Sequence, residues 1–216
     1  MLKPPVALVR RARAVDRILA QTYPDAHCEL DFHNPYELLV ATILSAQCTD
    51  ERVNQVTPAV FARYPDSRAL AAADRAELED MIRSTGFFRN KAASLQAMAQ
   101  RVCDKYKGEI PQPMSALTTL PGVGRKTAHV VRGNAFDQPG FTVDTHVTRL
   151  SNRLGWTTNS DPVRIEYDLD ALFPRKDRTM VSLRLIFHGR RCCFARKPNC
   201  SACPVKDLCP SSECKA

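Results

Sequence analysis

Residues 192–209, CCFARKPNCSACPVKDLC, crowd five cysteines into one basic stretch, and no other part of the chain restricts its own folding so tightly. Cys193, Cys200, Cys203 and Cys209 form a C-x6-C-x2-C-x5-C array. Four thiolates so close in sequence can converge on one centre without long-range folding. Tetrahedral zinc and a [4Fe–4S] cluster both accept four sulfurs. Zinc sites usually show two close pairs. Here only Cys200 and Cys203 form a CxxC, which tilts the reading towards iron–sulfur. Spacing alone leaves Cys192 and Cys193 as alternatives for the first ligand, with Cys214 also available in a polar tail.

The same loop carries Arg190, Arg191, Arg196, Lys197 and Lys206 against a single acid, Asp207. The chain as a whole has a net charge of +8, which favours a polyanionic partner. A metal centre would fix this backbone and aim Arg196 and Lys197 at phosphates. No apolar run is long enough to span a bilayer, and the N-terminus lacks an apolar signal region. It reads instead as an amphipathic helix, with Leu8, Ala12, Val15 and Leu19 on one face. The expectation is a cytoplasmic, nucleoid-associated protein without membrane contact, in a reducing compartment where clustered cysteines bind metal.

Helical periodicity runs through nearly the whole sequence, so the fold class is all-α. In DFHNPYELLVATILSAQ, Asn34 is a cap, Pro35 suits the first helical position, and Glu37 can complete a capping box. DRAELEDMIRSTG starts at Asp74 and stops at Gly86. VDTHVTRLSNRLG ends at Gly155, and SDPVRIEYDLDALFP runs from Asp161 and Pro162 to Pro174. RTMVSLRLIFHG reads as a buried helix leading into the cysteines. GFTVD, at 140–144, has strand composition but no partner nearby.

LPGVGRKTA, at 120–128, joins two helices through a turn. Gly122 and Gly124 suit a bend too tight for residues with a Cβ, and let backbone N–H groups approach an anion at the start of the next helix. Anion binding of this kind reads phosphate and ignores base sequence.

With the downstream VDTHVTR and the four-cysteine loop, LPGVGRKTA resembles the endonuclease III family of helix-hairpin-helix DNA glycosylases in order and spacing, from about Asn34 to Cys209. The resemblance implies two helical lobes. One is a six-helix barrel with the hairpin, mapped to residues 28–138. The other is discontinuous, made of residues 1–27 and 139–216, and carries a [4Fe–4S] cluster, with the active site in the cleft between lobes. It also implies that Cys193, Cys200, Cys203 and Cys209 are the ligands and Cys192 a bystander.

The resemblance makes Lys126 the nucleophile and Asp144 the catalytic carboxylate. Breaking the bond at a sugar C1′ develops positive charge there, which a carboxylate stabilises. An amine attacking C1′ gives an imine that acidifies the C2′ hydrogens, so the 3′ phosphate leaves by β-elimination. Lys126 must be neutral to attack. With an ordinary pKa, only about one lysine in 2,500 is neutral at pH 7. The helix N-terminus, Arg125 and partial desolvation lower that pKa, while Asp144 raises it. Without the resemblance, Lys126 reads as a phosphate-binding lysine and Asp144 as a helix cap.

The target base must leave the stack. By the same resemblance Gln47 fills the gap and Phe87 wedges the opposite strand, although Phe87–Phe88 stands where the family commonly has an aliphatic–aromatic pair. His129 stands where asparagine is frequent, and Cys48 where a small residue is frequent. DNA contacts are expected from Gly122, Val123, Gly124, Arg125, Thr145, His146, Arg196 and Lys197. His146 reads equally as a packed helix histidine and Trp156 as a core anchor. The implied activity is bifunctional: base removal and abasic-site cleavage on duplex DNA carrying oxidised pyrimidines, by a monomer. The rivals are a monofunctional mismatch glycosylase, a non-catalytic metal-cluster DNA-binding protein and a redox carrier.

Overall fold

A computed structural model describes residues 4–212. Cys214 lies outside them. The regular structure among the described residues is entirely helical, and none of those helices is long and apolar enough to cross a membrane. Two compact units are present: Cys28–Gln138, and a second built from the chain before and after it.

In the 28–138 unit the central helix is α2, Pro35–Leu44. Seven of its ten residues are buried, so it is apolar all round. The Asn34 side chain accepts from the Glu37 N–H at 3.0 Å, as a cap should. Glu37 departs from the expected capping box. Its carboxylate takes the His33 backbone N–H at 2.7 Å, one residue before the cap. α3 (Asp50–Arg63) and α6 (Phe88–Tyr106) pack on α2, while α4 (Ser67–Ala71) and α5 (Arg75–Met81) pack on α6. The unit closes with α7 (Met114–Leu117) and α8 (Arg125–Ala135). The α6 helix buries Lys91, Ala92, Leu95, Met98, Ala99 and Val102, a one-sided helical stripe. The segment after Asp74 does not run as one helix to Gly86. It stops at Met81 and tightens into a 3-10 turn, Arg83–Thr85, before Gly86 at φ +72°. The Glu77 side chain, free of any capping duty, binds Arg63 and Tyr64.

The second unit contains α1 (Val6–Thr22), α9 (Thr145–Arg153), α10 (Pro162–Leu172) and α11 (Arg178–Arg191). On α1, Ala12, Val15 and Leu19 are buried and Leu8 packs against the same core. Trp156 is a core residue, its ring 5.2 Å from that of Phe173. The GFTVD segment is extended but forms no strand. Its backbone groups still need partners, and α11 hydroxyls supply them. Gly140 N–H donates to Thr179 Oγ1 at 3.4 Å and Thr142 N–H to Ser182 Oγ at 3.1 Å. Phe141, Thr142 and Val143 are accordingly buried beside a helix.

Candidate functional site

The hairpin lies wholly in the 28–138 unit. Gly122 sits at φ +75°, and a Cβ there would lie 2.9 Å from Ser94 Cβ of α6 and 3.8 Å from Ile43 of α2. Only glycine meets both conditions. Gly124 differs from expectation: its φ is −85° and a Cβ would meet nothing within 4 Å. No bend requires a glycine there. What its hydrogen leaves is open space over the start of α8, where no side chain caps the first N–H groups. Val123 is buried and anchors the turn, Arg125 is half-buried, and Lys126, the second residue of α8, is exposed. Lys126 therefore lies on the surface of the free chain.

Two further features share this framework. Gln47 follows the end of α2, exposed, at φ +54°. Phe87 precedes α6 at φ +47° and is 64% exposed. Left-handed backbone is costly for residues with a Cβ, and such strain concentrates at working sites. Phe88, its neighbour, packs against the core with the Arg83 and Arg89 guanidinium groups over its ring. Of the two phenylalanines, only Phe87 projects a free apolar ring. Cys48 is half-buried against the same core, and His129 of α8 is buried.

In the second unit Asp144 is the N-cap of α9, its Oδ1 accepting the Val147 N–H at 2.8 Å. Thr145 next to it is exposed. His146 is half-buried, with Nδ1 3.1 Å from Arg149 Nη2. Burial first, then Arg149 and Arg190, lower its pKa from the ordinary value, while Asp144 opposes them. In the free protein His146 is thus partly packed beside Arg149.

The cysteine loop leaves α11 in a fixed way. The backbone N–H groups of Cys192 and Cys193 both donate to the His188 carbonyl, and Asn199 N–H returns to the Cys192 carbonyl at 3.0 Å. Two α9 arginines hold the loop beyond. Arg149 Nη2 donates to the carbonyls of Gly189 and Cys193, both at 3.0 Å. Arg153 donates to the carbonyls of Phe194 and Ala195 at 2.7 and 3.0 Å, and its Nη1 lies 3.1 Å from Cys193 Sγ. Neither arginine carries a sequence signal of its role; both look like the polar face of a helix.

Cys192, Cys193, Cys200, Cys203 and Cys209 line one cavity of about 310 Å³. None of the described cysteines is in a disulfide. A sulfur-rich lining with a guanidinium beside one sulfur fits an iron–sulfur cluster, whose thiolate ligands carry negative charge. His188 Nδ1 is 2.9 Å from the Tyr23 hydroxyl, and its other ring nitrogen is 3.6 Å from Cys203 Sγ. His188, Cys192 and Cys203 bring their ligand atoms within 4.8 Å of one another, a grouping the spacing did not anticipate. Burial pushes the Cys203 thiol up to about 12 in the metal-free chain; a bound cluster would hold it as the thiolate. Arg196 and Lys197 are exposed, Lys197 at φ +51°. Arg191 is occupied elsewhere: it pairs with Asp25 at 2.9 Å and stacks on Phe187.

Residues 40–175 match the family model of the HhH-GPD superfamily of base excision DNA repair proteins. Residues 193–209, bounded by Cys193 and Cys209, match the iron–sulfur binding domain of endonuclease III. The chain is 56% identical to endonuclease III of Synechocystis sp. over 205 residues, 94% of each chain. It is 44% identical to that of Bacillus subtilis over 192 residues, 88% of each. A solved non-covalent endonuclease III–DNA complex superposes with a TM-score of 0.89 at 43% identity, covering 94% of this chain and 96% of the other. This chain belongs to the endonuclease III family: it is a DNA-binding base-excision-repair glycosylase and abasic-site lyase that carries a [4Fe–4S] cluster.

Proposed function

We propose that the enzyme excises oxidised pyrimidines from duplex DNA and then nicks the strand, with Lys126 as nucleophile and Asp144 as the assisting carboxylate. The neutral Lys126 amine attacks C1′, the C1′–base bond breaks, and the base leaves with its electron pair and a proton. Asp144 stabilises the charge that develops on the sugar. Ring opening gives an imine, a C2′ proton is removed, and the C3′–oxygen bond breaks to release the 3′ phosphate. Lys126 is exposed in the free chain, where the sugar of a bound nucleotide can reach it. Asp144 keeps one oxygen on the Val147 N–H and uses the other at the sugar.

Val123, whose N–H is taken by the Leu120 carbonyl, holds the turn in shape, while Gly122, Gly124 and Arg125 present backbone N–H groups and the start of α8 to a phosphate. Thr145 and His146 do the same at the start of α9, and Arg196 and Lys197 add charge from the cysteine loop. Gln47 enters the space of the extruded nucleotide and Phe87 wedges the stack. Cys193, Cys200, Cys203 and Cys209 hold the cluster, whose contribution when bound is to fix the loop carrying Arg196 and Lys197. Leaving Cys192 out follows the family match, which begins at Cys193. The protein acts as a monomer in the cytoplasm, at the nucleoid.

The observation that carries this reading is a pair of exposed left-handed residues, Gln47 just after α2 and Phe87 just before α6, beside the two helices that crowd the Gly122 turn. Borohydride trapping tests it. The parent should give a covalent protein–DNA adduct on a thymine-glycol duplex. Lys126→Gln should lose the adduct while still binding DNA; an undiminished adduct removes Lys126 from the role.

A further inference from the structure

Lys91 is a cation where a core residue belongs. It lies on the apolar face of α6 and is only 5% exposed. Its ammonium donates to the Leu44 carbonyl and to the Thr85 carbonyl, both at 2.7 Å. Its backbone N–H donates to the Phe87 carbonyl at 3.0 Å. Leu44 ends α2, three residues before Gln47. Thr85 ends the 3-10 turn, two residues before Phe87. One side chain thus ties the roots of both left-handed loops to a single point.

A buried ammonium is costly, and a methionine would fill the same space without that cost. A methionine would, however, leave the Leu44 and Thr85 carbonyls without this donor, at a cost in stability of its own. Ammonium–carbonyl bonds are short and charge-assisted, and two of them made by one atom fix the distance between their acceptors. Leu44 and Thr85 belong to separate elements, far apart in sequence, and the Lys91 ammonium bridges them directly.

We infer that Lys91 is a positioning residue that sets the Gln47 and Phe87 loops at the spacing needed to open the base stack together. The inference rests on the wedge and filler roles proposed above. It differs from a packing role in one respect: the benefit of Lys91 must pass through Phe87. A misplacement of about 1 Å at such a site costs on the order of 100-fold in rate.

The test is a double-mutant cycle of Lys91→Met and Phe87→Ala, read by single-turnover excision of thymine glycol from duplex. A 2-aminopurine beside the lesion reports unstacking in parallel. Lys91→Met alone should slow excision about 10- to 100-fold and delay the 2-aminopurine rise by a similar factor. In the Phe87→Ala background the same change should cost less than about threefold, because no wedge is left to position. Lys91→Gln, which keeps a donor for one carbonyl, should fall between and guards against a methionine variant that fails to fold. Equal losses in both backgrounds, or folded Lys91 variants within about twofold of the parent, overturn the inference. If Phe87→Ala and Gln47→Ala each leave excision unchanged, the wedge reading itself fails and takes Lys91 with it. If they impair excision and the Lys91 variants do not, only the Lys91 role falls.

Discussion

The two units of this enzyme are stabilised by different means. The 28–138 unit is organised around α2, whose Leu38, Leu39, Val40, Ala41 and Leu44 are fully buried, and its helices α2 to α5 start at local caps at Asn34, Thr49, Asp66 and Asp74. The second unit joins two distant stretches of chain and uses arginines as tethers. Arg11 reaches the Leu208 carbonyl across 197 residues, Arg13 the Leu172 carbonyl, and Arg184 the Asp16 carboxylate at 2.8 Å. Arg149 and Arg153 hold the cysteine loop in the same way. A short irregular loop has few apolar side chains to bury, so its order has to come from polar bonds and metal. Packing and tethering should therefore respond differently to perturbation.

Removing iron should separate them most. Chelation should bleach the cluster absorbance and raise hydrogen exchange throughout residues 192–209, leaving amides of α2 and α6 protected. Equal loosening in both regions would break the contrast. Next in size, Leu39→Ala should cost about 3 kcal/mol by urea unfolding, since the side chain is fully buried. Iron content per folded protein should stay at the parent value; a loss below about 1 kcal/mol would show that α2 is not the centre of that core.

The two hairpin glycines sharpen the distinction between folding and binding. Gly122→Ala should destabilise by about 2 kcal/mol, the sum of left-handed backbone strain and overpacking. The overpacking falls on Ser94. Gly124→Ala should leave the melting curve within about 0.5 kcal/mol of the parent, as at an uncrowded surface position. It should nevertheless weaken DNA binding, because its Cβ would enter the open space over α8. Equal destabilisation by both would refute that assignment. Replacing Arg196 and Lys197 together should flatten the plot of log affinity against log salt by about 1.8, if each side chain meets one phosphate. An unchanged slope would mean that they meet none.

The smallest effect concerns His146. Its pKa lies below the ordinary 6.5, chiefly through burial. A histidine depressed in the folded state adds stability above its unfolded pKa. That stability is lost as pH falls through 6.5 towards the folded value. NMR titration should place its midpoint below 6.5 in the free protein. A midpoint at or above that value would deny the burial.

Sequence logic reached furthest where structure is local. A cap and the residues it serves are three positions apart, so Asn34, Asp74, Asp144 and Asp161 were legible as helix starts. Four thiols within one short loop announced a metal centre for the same reason. Reach shortened when a distant partner intervened. The segment after Asp74 looked like one helix to Gly86, but the helix stops at Met81 and the Glu77 carboxylate binds the distant Arg63 and Tyr64. GFTVD had strand composition, yet Thr179 and Ser182 satisfy its backbone.

By itself, then, the order of residues determined the all-helical class, the caps, the hairpin and the sulfur array, because each is set by contacts within a few positions. Only the tertiary structure decided that Phe87 rather than Phe88 is free, that Gly122 but not Gly124 is sterically required, and that Lys91, Arg149 and Arg153 are buried or tethered rather than solvated. A long basic side chain looks the same in sequence whichever way it points. What fixes its direction is a carbonyl tens of residues away, and no local pattern records that distance.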